Sequence, residues 1–413
     1  MKKNLLIYRT WLCGFIILII NDLAVKGYTN INASDWIIYF YPTIGSLLIV
    51  SSSYLRLNSK VNSYLLFFIT SLSMLFNYTQ PMTGSIVQTK YFILFGLSFY
   101  SLTLSFKAFN NKLSISDAFI ASNPLLVITG PVALYFNRIT YTSIKRRILI
   151  FFPYLVIGIF FFQIIANRLI LFFSLLDNTS VLITIAYGII FELYIYFNFA
   201  GLSFMIYAVF GIMGIEIPLN FKQPFSSRNI IEFWKGWHIS LSTVLKALFY
   251  LPARKKFTAS VSIFIVFICS GLWHGVTANF LIWGTFHGLC FILTKELLKK
   301  GYKVIATVLL LIAIPLGRII FADSNIQRLA KKLTFSNHEF DPLILKSFGL
   351  NQYLALFFAL FIVLIEFVFR NQKYFKQRTY KFLRIPPIQL LLLGLITLLI
   401  YNSGINFAAY GQR

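Results

Sequence analysis

Long apolar stretches, separated by short polar or basic segments, follow one another along most of the chain. Many of these stretches approach the ~20 residues that an α-helix needs to cross the hydrocarbon core of a bilayer. They fall near 5–21, 36–53, 63–79, 91–108, 118–136, 147–168, 181–214, 259–281, 281–298, 302–321, 352–369 and 386–403. The stretch 181–214 is too long for one simple span, and neighbouring stretches can merge or re-enter the membrane. The pattern predicts about eleven transmembrane helices.

One segment, 220–256, departs from this pattern because it mixes polar and aromatic residues: NFKQPFSSRNIIEFWKGWHISLSTVLKALFYLPARKK. Asn229, followed by Glu232, resembles the capping box at the start of a helix. Eight apolar residues then share one helical face, while Glu232, Lys235 and Lys246 lie on another. These eight are Ile230, Phe233, Trp234, Trp237, Leu241, Val244, Leu245 and Leu248. We predict one amphipathic helix, at the membrane interface or inside the protein beside a polar cavity.

The composition indicates that lipid covers much of the surface. Hydrophobic residues make up 58% of 413 residues and charged residues 12%, against about 25% charged residues in soluble proteins. The mean hydropathy is +0.77. We therefore predict an all-α integral membrane protein, with short re-entrant or interfacial helices beside the spans, forming one polytopic domain over 1–413. Lys2 and Lys3 precede the first span without a small-residue cleavage site after it, so no cleaved signal is expected.

The chain is strongly basic, with 37 Lys and Arg against 12 Asp and Glu and a formal net charge of +25. The basic residues cluster between apolar stretches, at 145–147, 254–256, 299–303 and 373–384. This placement is typical of cytoplasmic loops that contact anionic lipids, and it argues against nucleic acid as a partner. An acidic carrier protein could also bind there. The cysteines lack metal-ligand spacing, so no metal site is predicted.

Two of the four histidines are candidates for chemistry. His274 lies in SGLWHGVTANF after an apolar stretch, and Gly271 and Gly275 allow close approach. A polar ring there is costly unless it is paired or lines a wet cavity, so His274 is either a general base or a packing residue. His238 follows Trp237 on the predicted amphipathic helix, as either a functional or an interfacial residue.

The other two histidines are assigned structural roles. His287 follows His274 by 13 residues, which on one continuous helix is about 20 Å along the axis and about 220° around it. The two rings could share a site only if the helix broke near Asn279. His338, in SNHEFD, is predicted to be a solvated loop residue. The sequence contains no GxSxG, phosphate loop or dinucleotide fingerprint, which leaves direct transfer with histidine as the base.

Several segments, in order over about 190–330, resemble the membrane-bound O-acyltransferase family. WHISLS at 237–242 and GLWHG at 271–275 resemble its double-histidine signature, and NFKQPFSSRNIIEFWKGWH resembles the preceding block of bacterial members. YIYFNFAGLSFM at 194–205 resembles the family's YFDFAGYS segment. LIWGTFHGL at 281–289 and IIFADSN at 319–325 resemble segments that follow the histidines.

The resemblance implies a fold around a central tunnel and transfer of an acyl group to a hydroxyl. The motif FAGxS and the length of the chain are most similar to the branch that attaches D-alanine to teichoic acid. That branch implies a multi-pass protein of the bacterial plasma membrane with no bound cofactor. Its acyl donor is a phosphopantetheine thioester on a carrier protein, its acceptor an extracellular polyol phosphate, and its partners other cell-wall acylation membrane proteins.

The chemistry of these residues, taken with the resemblance, predicts the site. His274 is expected to act as general base, and His238 to position a substrate or stabilise oxyanion charge. The expected substrate-binding residues are Trp237, Trp273, Asn198, Asn279 and Ser242.

The chain departs from the family's pattern at four positions, and other functions remain open. Asn198 stands where the family has Asp, and Leu202 where it has Tyr; Lys246 and Ala247 replace Arg and Asp. O-acetyltransferases of exopolysaccharide or peptidoglycan share the two histidine blocks, which lie here at 237–242 and 271–275. A transporter or flippase of a lipid-linked sugar also fits the composition, but it has no reason to carry both histidine blocks. A non-catalytic scaffold remains a third alternative, in which both histidines are dispensable.

Overall fold

The structure, a computed structural model, describes residues 6–16, 43–44, 46–47, 50–51, 113–123, 138–139, 142–275, 277–370 and 385–401. Its helices are α1 (Leu6–Ile16), α2 (Ile115–Ala121), α3 (Ile144–Ile159), α4 (Asn167–Leu169), α5 (Val181–Met213), α6 (Ile230–Gly236), α7 (Ile239–Leu245), α8 (Leu251–Ala253), α9 (Ala259–His274), α10 (Ala278–Lys299), α11 (Lys303–Ala322), α12 (Ile326–Leu333), α13 (Leu343–Lys346), α14 (Leu350–Val368) and α15 (Pro386–Tyr401).

Irregular helical turns and two short strands complete these elements. Turns with π geometry cover Phe160–Ala166 and Lys246–Tyr250, and 3₁₀ turns cover Ile170–Asp177 and Pro224–Ser226. The two-residue strands β1 (Arg138–Ile139) and β2 (Ile215–Glu216) pair antiparallel.

The predicted all-α membrane architecture is confirmed. Within the described residues, five helical stretches are long and apolar enough to cross a membrane: Ile144–Asp177, Val181–Met213, Ala278–Lys299, Lys303–Ala322 and Leu350–Val368. The 33-residue helix α5 is continuous, so the long stretch 181–214 does not divide into two helices.

Several predicted features lie wholly or mostly outside the described residues. These are the stretches 36–53, 63–79, 91–108 and 118–136 and the basic cluster 373–384. The number of about eleven spans therefore stays a prediction.

The outward faces of the spanning helices are apolar. Large exposed side chains recur at helical spacing along α10, α11 and α14, and include Leu289, Leu293, Leu311, Phe357 and Leu364. In water such continuous apolar faces would favour aggregation, whereas lipid tails cover them without penalty. The burial pattern therefore agrees with the bilayer as the solvent.

The chain divides into two compact units. The first contains Met1–Phe151, Ile206–Pro218 and Phe407–Arg413, and the second Phe152–Met205 and Leu219–Asn406. In the first unit, the rings of Tyr8 and Trp11 lie 4.9 and 5.4 Å from that of Phe119. The second unit contains both histidine blocks. The single domain over 1–413 stays a prediction.

Two glycines let α3 and α5 cross closely in the second unit. A Cβ added to Gly158 would lie 2.7 Å from the carbonyl oxygen of Gly201, and one added to Gly201 would lie 2.9 Å from that of Gly158. Gly201 belongs to the FAGLS segment that carries part of the family resemblance. The close packing of α3 against α5 is therefore sufficient to explain why a glycine occupies position 201.

The single amphipathic helix predicted beyond Asn229 was wrong. The chain forms α6 and α7 instead, and His238 between them has left-handed backbone geometry with φ 42°. The side chain of Asn220 causes this break, because its Oδ1 accepts hydrogen bonds from the Ser240 N–H at 3.0 Å and the Ser240 hydroxyl at 2.8 Å. A residue 20 positions away thus caps α7 and starts a new helix.

The predicted cap at the start of this segment is confirmed. Asn229 Oδ1 accepts a hydrogen bond from the Glu232 N–H at 3.0 Å. The carboxylate of Glu232 reaches back to the N–H of Arg228 rather than to that of Asn229. The predicted polar face is also confirmed, since Glu232, Lys235 and Lys246 are exposed.

Helices α9 and α10 form a tight hairpin, in which α9 ends at His274 and α10 begins at Ala278. A Cβ on Gly271 would lie 2.3 Å from the carbonyl oxygen of Phe280, and one on Gly284 would lie 2.6 Å from that of Phe267. Both obstacles are main-chain atoms, which cannot move independently of their helices. The two glycines therefore set the distance between the helices.

Replacing Gly271 with alanine is expected to destabilise the protein by about 1–3 kcal/mol, because the new methyl group overpacks the hairpin. Thermal unfolding of the purified protein in detergent would measure the loss. Gly394→Ala is a matched control, since nothing lies within 4 Å of the Cβ position of Gly394 in α15. Equal melting temperatures for the two variants would contradict the role assigned to Gly271.

Candidate active site

The left-handed residue between α6 and α7 is His238, and its ring is buried. The ring lies 6.4 Å from that of Phe199 on α5 and 6.0 Å from that of Phe221, measured between centroids. Its Nδ1 atom has no hydrogen-bond partner within the part of the chain that the structure describes. Burial lowers the pKa of His238 to about 4. The imidazole is therefore neutral at physiological pH, with a nitrogen available to a ligand.

His274 is the last residue of α9 and is only half-buried. Its ring lies 5.6 Å from that of Trp283 on α10 and 4.9 Å from that of Phe321 on α11. The ring of Phe280 is 6.0 Å away. Aromatic side chains thus hold the imidazole where the hairpin turns, but part of its surface stays accessible.

His287 lies deeper in the same aromatic cluster. It is 2% exposed, and its ring lies 5.0 Å from that of Trp283 and 5.2 Å from that of Trp234. A Cβ on Gly317 would lie 2.1 Å from His287 Nε2, so α11 also packs directly against this ring. Such enclosure fits the predicted structural role.

The hairpin changes the geometry that a continuous helix would impose on His274 and His287. One helix ends at His274 and the next begins at Ala278, just before Asn279, and both imidazoles contact Trp283. Two rings that one straight helix would point in different directions thus contact the same indole. His338 is exposed between α12 and α13, as predicted for a loop residue.

The two histidine blocks meet at side chains of α11. The guanidinium carbon of Arg318 lies 4.8 Å from the ring centroid of Trp237 and 5.7 Å from that of Phe321. Phe321 in turn contacts His274. A second connection runs from Trp234 on α6 to Trp283 at 5.9 Å. The sequence resemblance paired these blocks, and the structure brings them together through Arg318, Phe321 and Trp283.

A buried ion pair, which the sequence analysis did not single out, lies at this meeting point. Arg318 Nε donates to Glu192 Oε2 on α5, and the two residues are 6% and 3% exposed. One signal could have revealed both residues. Each is an ionisable residue within an apolar stretch, and such residues are rare in spans and functional by default.

The five predicted substrate-binding residues occupy different places. The ring of Trp273 is 4.8 Å from that of His274, whereas Trp237 contacts Arg318 instead. Asn198 Nδ2 donates to the hydroxyl oxygen of Tyr194 at 2.9 Å, inside α5. Asn279 is buried and Ser242 is exposed.

The oxygen and the nitrogen of the Asn279 side chain both form hydrogen bonds with protein atoms. Nδ2 donates to the carbonyl oxygen of Phe321 at 3.1 Å, and Oδ1 accepts from the hydroxyl of Thr277 at 2.5 Å. Asn279 thus attaches the start of α10 to the end of α11, beside His274. The exposed hydroxyl of Ser242 lies 3.4 Å from the carbonyl oxygen of Trp237.

A buried carboxylate anchors the chain just after Phe321. Asp323 is fully buried and accepts hydrogen bonds from Arg328 Nε at 2.8 Å and Lys332 Nζ at 2.7 Å. Arg328 also pairs with Asp177, and Lys332 donates to the carbonyl oxygen of Leu176. Burial raises the pKa of Asp323, but the hydrogen bonds from Arg328 and Lys332 outweigh it and hold the pKa below its usual value. This network fixes the end of α11 that contacts His274.

Comparison with known proteins identifies the same region. Residues 134–321 match the sequence model of MBOAT, the membrane-bound O-acyltransferase family. A probable alginate O-acetylase of Pseudomonas syringae is 34% identical over 140 residues, which are 32% of this chain and 27% of that protein. A teichoic acid D-alanyltransferase of Streptococcus thermophilus is 36% identical over 117 residues, 26% of this chain and 28% of that protein.

A third relative has a different substrate in its name. A peptidoglycan O-acetyltransferase of Helicobacter pylori is 36% identical over 99 residues, which are 23% of this chain and 19% of that protein. The chain therefore spans less than a third of the length of each of these three relatives.

Proposed function

Because residues 134–321 are a domain of the membrane-bound O-acyltransferase family, within a multi-pass membrane protein, we propose that the chain transfers an acyl group from a thioester to a hydroxyl of a cell-envelope polymer. One observation supports this activity most directly. His274 is half-buried in an aromatic cluster that connects it, through Phe321 and Arg318, to the His238 block. Its imidazole is held in position and still accessible, as a general base must be.

In the proposed reaction the acceptor hydroxyl attacks the thioester carbonyl. His274 takes the hydroxyl proton as the C–O bond forms, and the C–S bond breaks. The imidazolium then returns the proton to the departing thiolate, so that the products are an ester and a thiol. A positioned histidine base contributes about 10²–10⁴-fold to such a transfer.

The neighbouring residues would orient the two substrates. Buried His238, neutral at physiological pH, would donate a hydrogen bond to the oxyanion or to a substrate. Trp273 would pack against the acyl group beside His274. Asn198 and Ser242 would line a central tunnel farther from the reacting atoms, Trp237 would hold Arg318, and Asn279 would hold the end of α11.

The finer proposal concerns donor and acceptor. The relative named as a teichoic acid D-alanyltransferase supports D-alanyl transfer from a phosphopantetheine thioester, on an acidic carrier protein, to teichoic acid or lipoteichoic acid at the cell membrane. The basic loops suit such a carrier electrostatically, and other cell-wall acylation proteins would be membrane partners. The relatives named as O-acetylases support acetyl transfer to an exopolysaccharide or to peptidoglycan as the second candidate.

Membranes that contain the full chain provide the test. They would be supplied with labelled D-alanyl or acetyl thioester on a phosphopantetheinyl carrier protein, and with a polyol phosphate polymer. Base-labile label on the polymer, identified by mass spectrometry of the released acyl group, is the expected result. No transfer from either thioester, together with chain-dependent export of a glycan, would overturn the proposal in favour of a transporter.

A further inference from the structure

Only one of the two carboxylate oxygens of Glu192 accepts a hydrogen bond from a described residue. Arg318 Nε binds Oε2, while Oε1 is buried and has no hydrogen-bond partner within the described residues. A buried carboxylate oxygen without a donor is costly, since desolvation is not repaid. Placing this group inside a 33-residue apolar helix makes the cost larger still. The arrangement leaves a strong acceptor for a hydrogen-bond donor that arrives with a ligand.

The open oxygen lies close to the proposed reaction centre. Arg318, which binds the other carboxylate oxygen, contacts the rings of Trp237 and Phe321, and Phe321 contacts His274. Tyr196, one turn beyond Glu192 on α5, lies 6.2 Å from Trp237 between ring centroids. Glu192 therefore lies at the junction of the two histidine blocks rather than on an outer face of α5.

The chemistry of the candidate donors differs at one group. An α-aminoacyl thioester carries an ammonium on the carbon next to the reacting carbonyl, whereas an acetyl thioester is neutral. An ammonium that enters a dry site needs a carboxylate partner, because an unpaired buried charge is strongly disfavoured. Arg318 occupies only one of the two oxygens of Glu192, so the other oxygen can accept hydrogen bonds from the ammonium.

We infer that Glu192 Oε1 binds the ammonium of the acyl donor, which makes α-aminoacyl thioesters the preferred substrate class. The inference rests on the proposed function and deepens it. The ammonium takes no part in bond exchange, which remains attack of the hydroxyl on the carbonyl with loss of the thiol. Glu192 is thus a specificity residue.

The sharpest test compares two thioesters of the same shape. D-alanyl and isobutyryl groups differ only by a methyl group in place of the ammonium. Full-length wild-type protein in membranes is expected to transfer D-alanyl at least ~10-fold faster, given the strength of hydrogen bonds to charged groups. Glu192→Gln is expected to slow D-alanyl transfer roughly 10- to 100-fold and isobutyryl transfer by less than about threefold.

Glu366→Gln is the matched control. Glu366 is another buried carboxylate in a spanning helix, and it accepts a hydrogen bond from the hydroxyl of Tyr196 at 2.5 Å. Its replacement is expected to leave the ratio of the two rates unchanged.

The possible failures are distinguishable. An equal loss of both activities in Glu192→Gln, or no loss of either, would overturn the inference. If that variant did not accumulate, equal use of the two thioesters by the wild type would overturn it instead. Wild-type protein that transfers no acyl group at all would refute the proposed function itself.

Discussion

Replacing His274 with alanine is expected to reduce acyl transfer by about 10²–10⁴-fold, the contribution of a positioned general base. Without the imidazole, the acceptor hydroxyl would have to lose its proton to water rather than to a positioned base. The loss should fall on kcat, since the imidazole acts in the transition state and contributes little to substrate binding. Initial rates at several thioester concentrations would separate kcat from KM.

His338→Ala is the control, because this histidine is exposed in the segment between α12 and α13 and should not affect transfer. Protein amount and melting temperature should be compared in both variants, since His274 also contacts Trp283 and Phe321. A His274→Ala protein that folds normally and keeps its full rate would eliminate His274 as the base.

Replacing Asp323 with asparagine is expected to destabilise the protein by about 3–5 kcal/mol, the usual consequence of removing one partner of a buried pair. Lys332 is 2% exposed and would lose its counter-ion. Arg328 would lose one of its two hydrogen bonds to this side chain, because asparagine has an NH2 donor in place of one acceptor oxygen. Thermal unfolding in detergent at neutral pH would measure the effect, with the exposed Asp341→Asn as the control.

The Asp323 carboxylate also predicts how the stability of the protein changes with pH. The pKa of Asp323 is lower in the folded protein than its usual value, which is about 3.9 in an unfolded chain. Its stabilisation is therefore fully present above about pH 4 and is lost as the pH falls through the folded-state pKa. The difference between wild type and Asp323→Asn should shrink under acid conditions. A difference that stayed constant down to pH 2 would contradict the ionised state assigned to Asp323.

Helices whose position depends on the bilayer could be predicted well from the sequence. The stretches at 302–321 and 352–369 became α11 and α14 with ends moved by a residue or two. In these segments every main-chain group must bond within the helix, because lipid offers no partner. The apolar pattern and the hydrogen bonds within the segment therefore both predict a helix over the same residues. The two histidine blocks were likewise visible as sequence motifs.

Contacts between distant residues decided the arrangement of the site. The helix predicted through His238 breaks because Asn220 caps Ser240 from outside it, and no periodicity within 229–248 contains that contact. Glu192 and Arg318, 126 positions apart, could each be noticed as a charge in an apolar stretch, but not as a pair.

The sequence by itself determined that this chain spans a membrane and carries two histidine blocks. The length of an apolar stretch and the residues of a motif are both local properties of the chain. The tertiary structure decided where α6 ends, which indole both His274 and His287 contact, and which carboxylate meets Arg318. The physical reason is the cost of burying polar groups: each needs a partner, and that partner can come from anywhere along the chain.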